Sequence, residues 1–232
     1  MAGRAGYRTI ERAPVPGGGQ LTLAAGPLGE LVVTVDGRPL MGSEAHGSEE
    51  ALARLTLAAV AGDARRVLVG GLGVGFTLAA ALAALGEGAE VVVAELVPAV
   101  VRWGQGALGA VAGWPLRDAR VAVFEGDVAD CLAPGAWDAI LLDVDNGPLG
   151  LTRPANGALY GAGGLAALYA ALSPGGALGV WGTTRDAALS RGLAAAGLEV
   201  VEHEVAARGA GGARHRVWVG RRAAVAETAA GR

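Results

Sequence analysis

Arg66-Val67-Leu68-Val69-Gly70-Gly71-Leu72-Gly73-Val74-Gly75 is the stretch whose reading decides the fold. Val67 to Gly70 read as a short buried strand. They run straight into a glycine turn, Gly71 to Gly75, and then into the helical run Phe76-Thr77-Leu78-Ala79-Ala80-Ala81-Leu82. A strand, a glycine turn and a helix in that order bring bare backbone and a helix N-terminus close to a ligand. A dinucleotide-binding loop needs G-x-G-x-x-G. Counted from Gly71 that spacing requires glycine at position 76, where this chain has Phe76. With 40 glycines in 232 residues the loop alone decides little, so the segments after it carry the weight.

Those segments repeat one arrangement. Glu90-Val91-Val92-Val93-Ala94-Glu95 reads as a second buried strand ending in a carboxylate. An acid at that strand tip, about 20 residues past the loop, can accept both hydroxyls of a ribose. Pro98 suits the first turn of a helix, where its missing N–H costs nothing. A third strand, Arg120 to Phe124, leads to Glu125-Gly126-Asp127, and a fourth, Trp137 to Leu142, leads to Asp143-Val144-Asp145-Asn146-Gly147-Pro148. Three successive strands thus end in acids, on the edge where doubly wound sheets hold their ligands. Any one of them is as readily a solvated loop carboxylate, but all three in order after a glycine loop are hard to obtain by accident. The G-x-G-x-G spacing itself is the form common in loops that bind S-adenosylmethionine.

Strand-GGxGxG-helix, Val-Val-Val-Ala-Glu, Glu-Gly-Asp, Leu-Leu-Asp-x-Asp-x-Gly-Pro and Leu-Ser-Pro-Gly-Gly (172 to 176) together resemble the spermidine synthase-like branch of the class I S-adenosylmethionine-dependent methyltransferase superfamily. The likeness spans roughly residues 28 to 220. It implies that Gly71, Gly73 and Gly75 face the nucleoside and methionine-derived part of the cofactor, S-adenosylmethionine or its decarboxylated form. It further implies that Glu95 binds ribose, that Asp127 lies beside the adenine amino group, and that Asp143 faces an amine nucleophile. The chain departs from the branch at three places. Gly73 stands where aminopropyltransferases carry a loop aspartate. Asn146 takes the place of the second acid of their D-x-x-D, with Asp145 one residue early. Ser48-Glu49-Glu50 replaces Tyr-His-Glu. Each change removes a group that would meet a diamine or the aminopropyl chain.

The implied chemistry is displacement at a carbon bonded to a sulfonium, in which the protein mainly aligns nucleophile, carbon and leaving sulfur. An amine acceptor must be neutral to attack, although a free alkyl ammonium has a pKa near ~10. Asp143, with Asp145, is the candidate to bind that ammonium and take its proton. Asn146 and Tyr160 are the candidate substrate contacts; for Tyr160 a packing role on the loop is equally expected. The expected function is transfer of an alkyl group, aminopropyl or methyl, from an adenosyl sulfonium donor to an amine. The alternatives are a small-molecule methyltransferase using S-adenosylmethionine and a non-catalytic nucleoside-binding protein. A nicotinamide-dependent oxidoreductase is disfavoured by Phe76 and by the later acidic tips.

Composition agrees. At 232 residues the chain holds one α/β domain and a small appendage. Its 52% apolar content supports a core built largely of alanine and aliphatic side chains. A net charge of −3 gives no electrostatic case for nucleic acid or an anionic membrane as partner. Cys131 is the only cysteine, which excludes an intrachain disulfide and a cysteine-based metal site and fits a reducing cytoplasm. His46, His203 and His215 share no metal-ligand spacing, so no metal is expected. Met1 to Ala13 carries charges and no apolar core of a secretory signal. The expected partner is a small-molecule amine, and the sequence leaves a homodimer open.

The expected architecture is a doubly wound, mostly parallel Rossmann-like sheet, with a small N-terminal β appendage over residues 1–45. The nucleoside-binding domain covers 46–220 and a frayed tail 221–232. In the appendage, Gln20 to Leu23 and Glu30 to Val35 read as strands and Asp36-Gly37 as a turn, while residues 1–19 end in the Pro- and Gly-rich link Pro14 to Gly19. Ser48 is the expected N-cap of a helix from Glu49 to Val60. Residues 144–163 read as a long functional loop. A helix near 164–172, a strand from Ala177 to Trp181, a helix near 185–196 and strands Leu198 to Val205 and Arg214 to Val219 complete the chain. The cluster Arg208, Arg214, His215, Arg216, Arg221 and Arg222 is a candidate contact for an anionic substrate or partner, but reads more readily as the solvated edge of that last hairpin, where charges block unwanted strand pairing.

Overall fold

The computed structural model describes residues 6–144, 156–208 and 211–225. It contains two sheets. The appendage is a four-stranded antiparallel meander, β1 (Arg8–Pro14), β2 (Gln20–Ala25), β3 (Leu31–Val35) and β4 (Arg38–Gly42), in the order β1-β2-β3-β4. Sequence reading finds only the inner two strands. Both outer strands contain proline, and their side chains are mostly exposed or only half-buried, so they lack the apolar runs of β2 and β3. Asp36-Gly37 does form the β3–β4 turn, with φ of +47° and +80°, the left-handed pair that favours an Asp-Gly hairpin.

The main sheet has seven strands in the order β7-β6-β5-β8-β9-β11-β10. β5 (Arg66–Gly70), β6 (Glu90–Glu95), β7 (Val121–Glu125), β8 (Trp137–Leu142) and β9 (Leu172–Gly182) are parallel, while β10 (Glu199–Arg208) and β11 (Gly211–Arg221) form an antiparallel hairpin on the far edge. The chain runs outward from β5 to β7, then returns to lay β8 on the other side of β5. That reversal opens a crevice at the C-terminal ends of β5 and β8, the usual ligand position in open α/β sheets.

The strands alternate between two cores. Val67, Val69, Leu141 and Val217 face one side, packed with α1 (Gly47–Ala58), α2 (Phe76–Ala84) and α3 (Pro98–Gly104) through Leu52, Leu78 and Trp103. Leu68, Ile140, Leu142 and Trp218 face the other, under α6 (Ala162–Ala171) and α7 (Ala187–Ala195). In chain order the short helices α4 (Ala107–Val111) and α5 (Asn156–Leu159) fall between α3 and α6, with Leu108 in the first core and Leu159 in the second. The appendage joins the first core through Leu21, Leu23 and Val33, and Glu11 of β1 binds Trp103 and Arg102 of α3 at 2.8 Å each. Among the described residues no helix is long and apolar enough to cross a membrane.

Three sequence expectations shift. α1 begins at Gly47 with His46 in the cap position and no side-chain cap bond, the imidazole being bonded to Glu50, while Ser48 lies inside the first turn with its hydroxyl on Glu49 and His215. The stretch read as one loop contains α5, whose glycine and asparagine content hid it. Arg221 is the last residue of β11. Arg222 follows it in order: its guanidinium donates to the Leu172 carbonyl at 2.6 Å and lies 4.8 Å from the Tyr169 ring. The hairpin arginines pair across the strands with Glu199, Glu202 and Glu204.

Candidate functional site

The crevice widens into a pocket of about 640 Å³. Its floor is the glycine loop after β5. Its sides are the tips of β6, β8 and β9 with Gly126 to Ala129 after β7, and Leu21, Leu40 and Met41 of the appendage form a roof.

The glycine loop needs its glycines for two different reasons. Gly71 has φ +87°, and a Cβ there would stand 2.3 Å from the Asp143 carbonyl oxygen, so this position is set by the close approach of two strand ends. Gly73 has φ +53°, and its Cβ would meet only the Met41 sulfur at 3.6 Å; here the backbone borders open pocket. Between them the Leu72 N–H donates to Glu95 Oε2 at 2.9 Å, while the Val97 N–H donates to Oε1 at 2.8 Å. Glu95 is 8% exposed, so its carboxylate ties the loop after β5 to the turn before α3 and still borders the pocket. Asp127 accepts from the Ala129 N–H at 3.0 Å and caps the 3-10 turn Val128–Cys131 on the same wall.

Asp143 sits at the tip of β8. Its N–H donates to the Gly70 carbonyl at 2.8 Å, which fixes the backbone beside the glycine loop. The Thr77 hydroxyl, from the first turn of α2, donates to its Oδ2 at 2.7 Å. Enclosure by protein pushes the Asp143 carboxyl up to about 7, with the charge of Glu49 adding to the rise, the Thr77 hydrogen bond opposing it and Glu95 contributing last. Burial likewise raises Glu49, against the opposing hydrogen bond from Ser48. The Ser48 hydroxyl donates to Glu49 Oε2 at 2.5 Å and lies 2.8 Å from His215 Nδ1. Burial holds the His215 imidazole below its ordinary pKa, and its ring stands edge-on to Trp181 with centroids 4.9 Å apart. The pocket is therefore lined by four carboxylates (Glu49, Glu95, Asp127, Asp143) and one histidine, with no arginine among the described lining residues. Such a lining suits a cationic ligand.

Of the residues singled out from the sequence, Gly71, Gly73, Gly75, Glu95, Asp127 and Asp143 all border this one pocket. Asp145 and Asn146 lie outside the described residues. Tyr160 is not on the pocket wall, which uses Ala158 and Leu159 instead; the tyrosine packs against the second core. Thr77 and Trp181 escaped sequence reading as pocket residues; Ser48 and Glu49 were read only as a helix start and as the replacement of Tyr-His-Glu, and His215 only as part of a charged edge. Thr77 carried one usable signal, a hydroxyl in the first turn of the helix that follows the loop. His215 carried none, since its strand reads as a charged edge.

The fold is that of three solved structures. A spermidine synthase in complex with the transition-state analogue AdoDATO matches with a TM-score of 0.77 at 17% identity, over 92% of this chain and 73% of that one. The spermidine synthase from Thermotoga maritima matches with a TM-score of 0.73 at 16% identity, over 92% and 72%. The 1,6-didemethyltoxoflavin-N1-methyltransferase of Burkholderia thailandensis, with bound 1,6-didemethyltoxoflavin and S-adenosylhomocysteine, matches with a TM-score of 0.53 at 22% identity, over 76% and 78%. No protein-family model matches the sequence, and neither does any curated protein sequence.

Proposed function

We propose that this protein transfers an alkyl group from an adenosyl sulfonium donor to an amine acceptor, with Asp143 receiving the acceptor. The observation that carries the reading is Asp143 itself. It is a strand-tip carboxyl bonded by Thr77, abutting a glycine loop and pushed up to about 7, in a pocket lined by acids. A carboxyl titrating near neutrality can take a proton from an ammonium and pass it on. The freed nitrogen lone pair then forms the new N–C bond as the C–S bond breaks. Its electrons stay on sulfur, so the donor leaves as a neutral thioether and the positive charge passes to nitrogen, beside the carboxylates.

Glu95 and the glycine loop fit an adenosyl donor. Glu95 is held rigidly by two backbone N–H groups and faces the space where a ribose would lie. Both kinds of structural neighbour carry adenosyl ligands, AdoDATO in one and S-adenosylhomocysteine in another. Methyl transfer from S-adenosylmethionine is the second reading, favoured by Gly73. No loop carboxylate awaits an aminopropyl ammonium there, and the open backbone leaves room for a donor that keeps its own carboxylate. A cytoplasmic location accompanies either reading, consistent with the single free thiol of Cys131.

The deciding experiment incubates the protein with S-adenosylmethionine or its decarboxylated form and a panel of amines, with mass spectrometry of the products. An amine gaining a methyl or an aminopropyl group identifies the reaction. Binding of adenosyl compounds without any alkylated amine would leave only a nucleoside-binding protein.

A further inference from the structure

Resting on the amine-acceptor reading above, we infer that the acceptor is a monoamine with an apolar body, its nitrogen at Asp143 and its chain or ring under Leu21, Leu40 and Met41 of the appendage, a roof that rejects a second charge. The order of the strand tips separates the acids of the pocket. Glu95 ends β6 and Asp127 follows β7, two and three strand positions from β8. At the usual strand spacing those tips lie roughly 10 and 14 Å away. Both Glu95 oxygens accept backbone N–H groups, and Asp127 accepts one from Ala129. That leaves Asp143 and Glu49 at the acceptor end. Glu49 is the charged group that acts most strongly on Asp143, and two acids so coupled serve one ammonium together.

The walls beyond that end carry no charge to meet a second one. Leu142 of β8 pairs with Val180 of β9, so Trp181 stands beside Asp143 on the next strand. Trp181 packs into the first core, on the same side of the sheet as Thr77 of α2, which holds Asp143. His215 stands edge-on to Trp181, and burial disfavours its imidazolium form. Across the pocket, none of the lining residues from the appendage is charged. Leu21 is buried there, whereas Leu40 and Met41 are only half-buried and line the pocket. Apolar surface of this kind is covered at a gain by an apolar ligand, about fourfold in affinity for each methylene buried. Met41 adds an unbranched thioether that packs against aliphatic and aromatic bodies alike. A second ammonium in the same place would lose its water and find no counter-ion.

The test is calorimetry on the full chain saturated with S-adenosylhomocysteine, whose own titration on every variant reports that the nucleoside half is intact. n-Pentylamine and 1,4-diaminobutane are the deciding pair, alike in length but ending in a methyl group or a second ammonium. Wild-type protein should bind n-pentylamine at least about tenfold more tightly, a difference of about 1.4 kcal/mol. Affinity should rise about fourfold per methylene from n-propylamine to n-pentylamine, and 2-phenylethylamine should bind as well. Leu40→Ala, which thins the roof, should lower the ratio of the two affinities about threefold or more. Leu40→Glu, which gives the roof a counter-ion, should invert it. The wild-type pair carries the test alone if Leu40→Glu loses S-adenosylhomocysteine binding. Wild-type protein that binds 1,4-diaminobutane as tightly as n-pentylamine, or more tightly, would overturn the inference and leave the amine reading standing. A ratio that neither Leu40 variant moves would do the same, since the roof would not be the selecting surface. Wild-type protein that binds no amine, with or without S-adenosylhomocysteine, would remove the amine reading and this inference with it.

Discussion

The pocket has two halves built on opposite principles. The half proposed to hold the nucleoside, formed by the glycine loop, Glu95 and Asp127, is assembled from the ends of successive strands and has its acids tied down by backbone N–H groups. The half proposed to receive the acceptor, around Asp143 with Glu49 and His215 on the same pocket lining, is assembled from distant segments and holds carboxyls whose pKa burial raises. A rigid, satisfied half recognises a constant ligand part. A half whose acids are poised to exchange protons serves chemistry, at the expense of stability. The difference between them can be attacked directly.

The largest expected effect is on turnover. Asp143→Asn should lower the rate of alkyl transfer by about 10²–10⁴-fold, the usual range for loss of a general base, while S-adenosylhomocysteine binding changes little. The wild-type rate should rise with pH through an apparent pKa near 7, because the carboxyl must be ionised to take the proton. Single-turnover rates across pH 5 to 9 (about the range an acid titrating near neutrality requires) check both statements. If the asparagine variant kept its rate and the acidic limb survived, the division into two halves would be wrong.

The same division explains what was legible in the sequence. β5, β6 and β8 were found nearly to the residue, since each is a short apolar run bounded by charge or glycine, and with them came Gly71, Gly73, Gly75, Glu95, Asp127 and Asp143. Local strand–turn–helix grammar places such residues without any tertiary information. Ser48 and His215 are 167 positions apart, and no local pattern relates them. Ser48 before two glutamates reads as a helix cap, and His215 among arginines reads as a solvated edge. Only the pairing of β11 with β9 turns the arginines at 214 and 216 towards the acids of β10 and His215 towards the pocket. β1 and β4 were missed for a related reason: their partners, not their composition, make them strands.

Next in size is an effect on the fold. Gly71→Ala should destabilise the protein by at least about 2 kcal/mol, from a residue forced into left-handed backbone and a Cβ pressed onto the Asp143 carbonyl. Gly73→Ala, whose Cβ meets only a flexible methionine sulfur, should cost about 1 kcal/mol of stability and act mainly by narrowing the pocket. Urea unfolding of the two variants should separate them clearly. Equal losses would mean that the loop touches the acceptor half no more closely at Gly71 than at Gly73.

Glu95 tests the nucleoside half. Read from sequence, Glu95→Ala removes only ribose contacts, about 1–3 kcal/mol of donor affinity. In the structure it also strips acceptors from the Leu72 and Val97 N–H groups. Glu95→Gln keeps one carbonyl oxygen for those donors and should lie between wild type and alanine in both melting temperature and S-adenosylhomocysteine affinity. Loss of affinity without any loss of stability would mean that the carboxylate serves the ligand alone.

The smallest expected effect carries the clearest sign. A carboxyl whose pKa is raised from 3.8 to about 7 by folding binds its proton more tightly in the native state than in the unfolded chain. Between those two values the native protein holds the extra proton, so native stability falls as pH rises through that window and stays low above it. Asp143→Asn abolishes this titration while keeping an oxygen to accept the Thr77 hydroxyl. The variant should therefore be more stable than wild type at pH 8, on the order of 1–3 kcal/mol given that Asp143 is only half-buried, with the gain shrinking towards zero near pH 4. A catalytic acid that merely capped its loop would behave in the opposite way, and its amide variant would melt earlier at every pH. Thermal denaturation of the two proteins at pH 4.5 and pH 8 (about the two ends of the window) distinguishes the cases. A variant that gains stability at the higher pH while losing turnover would place in one residue the exchange of stability for chemistry that separates the two halves of the pocket.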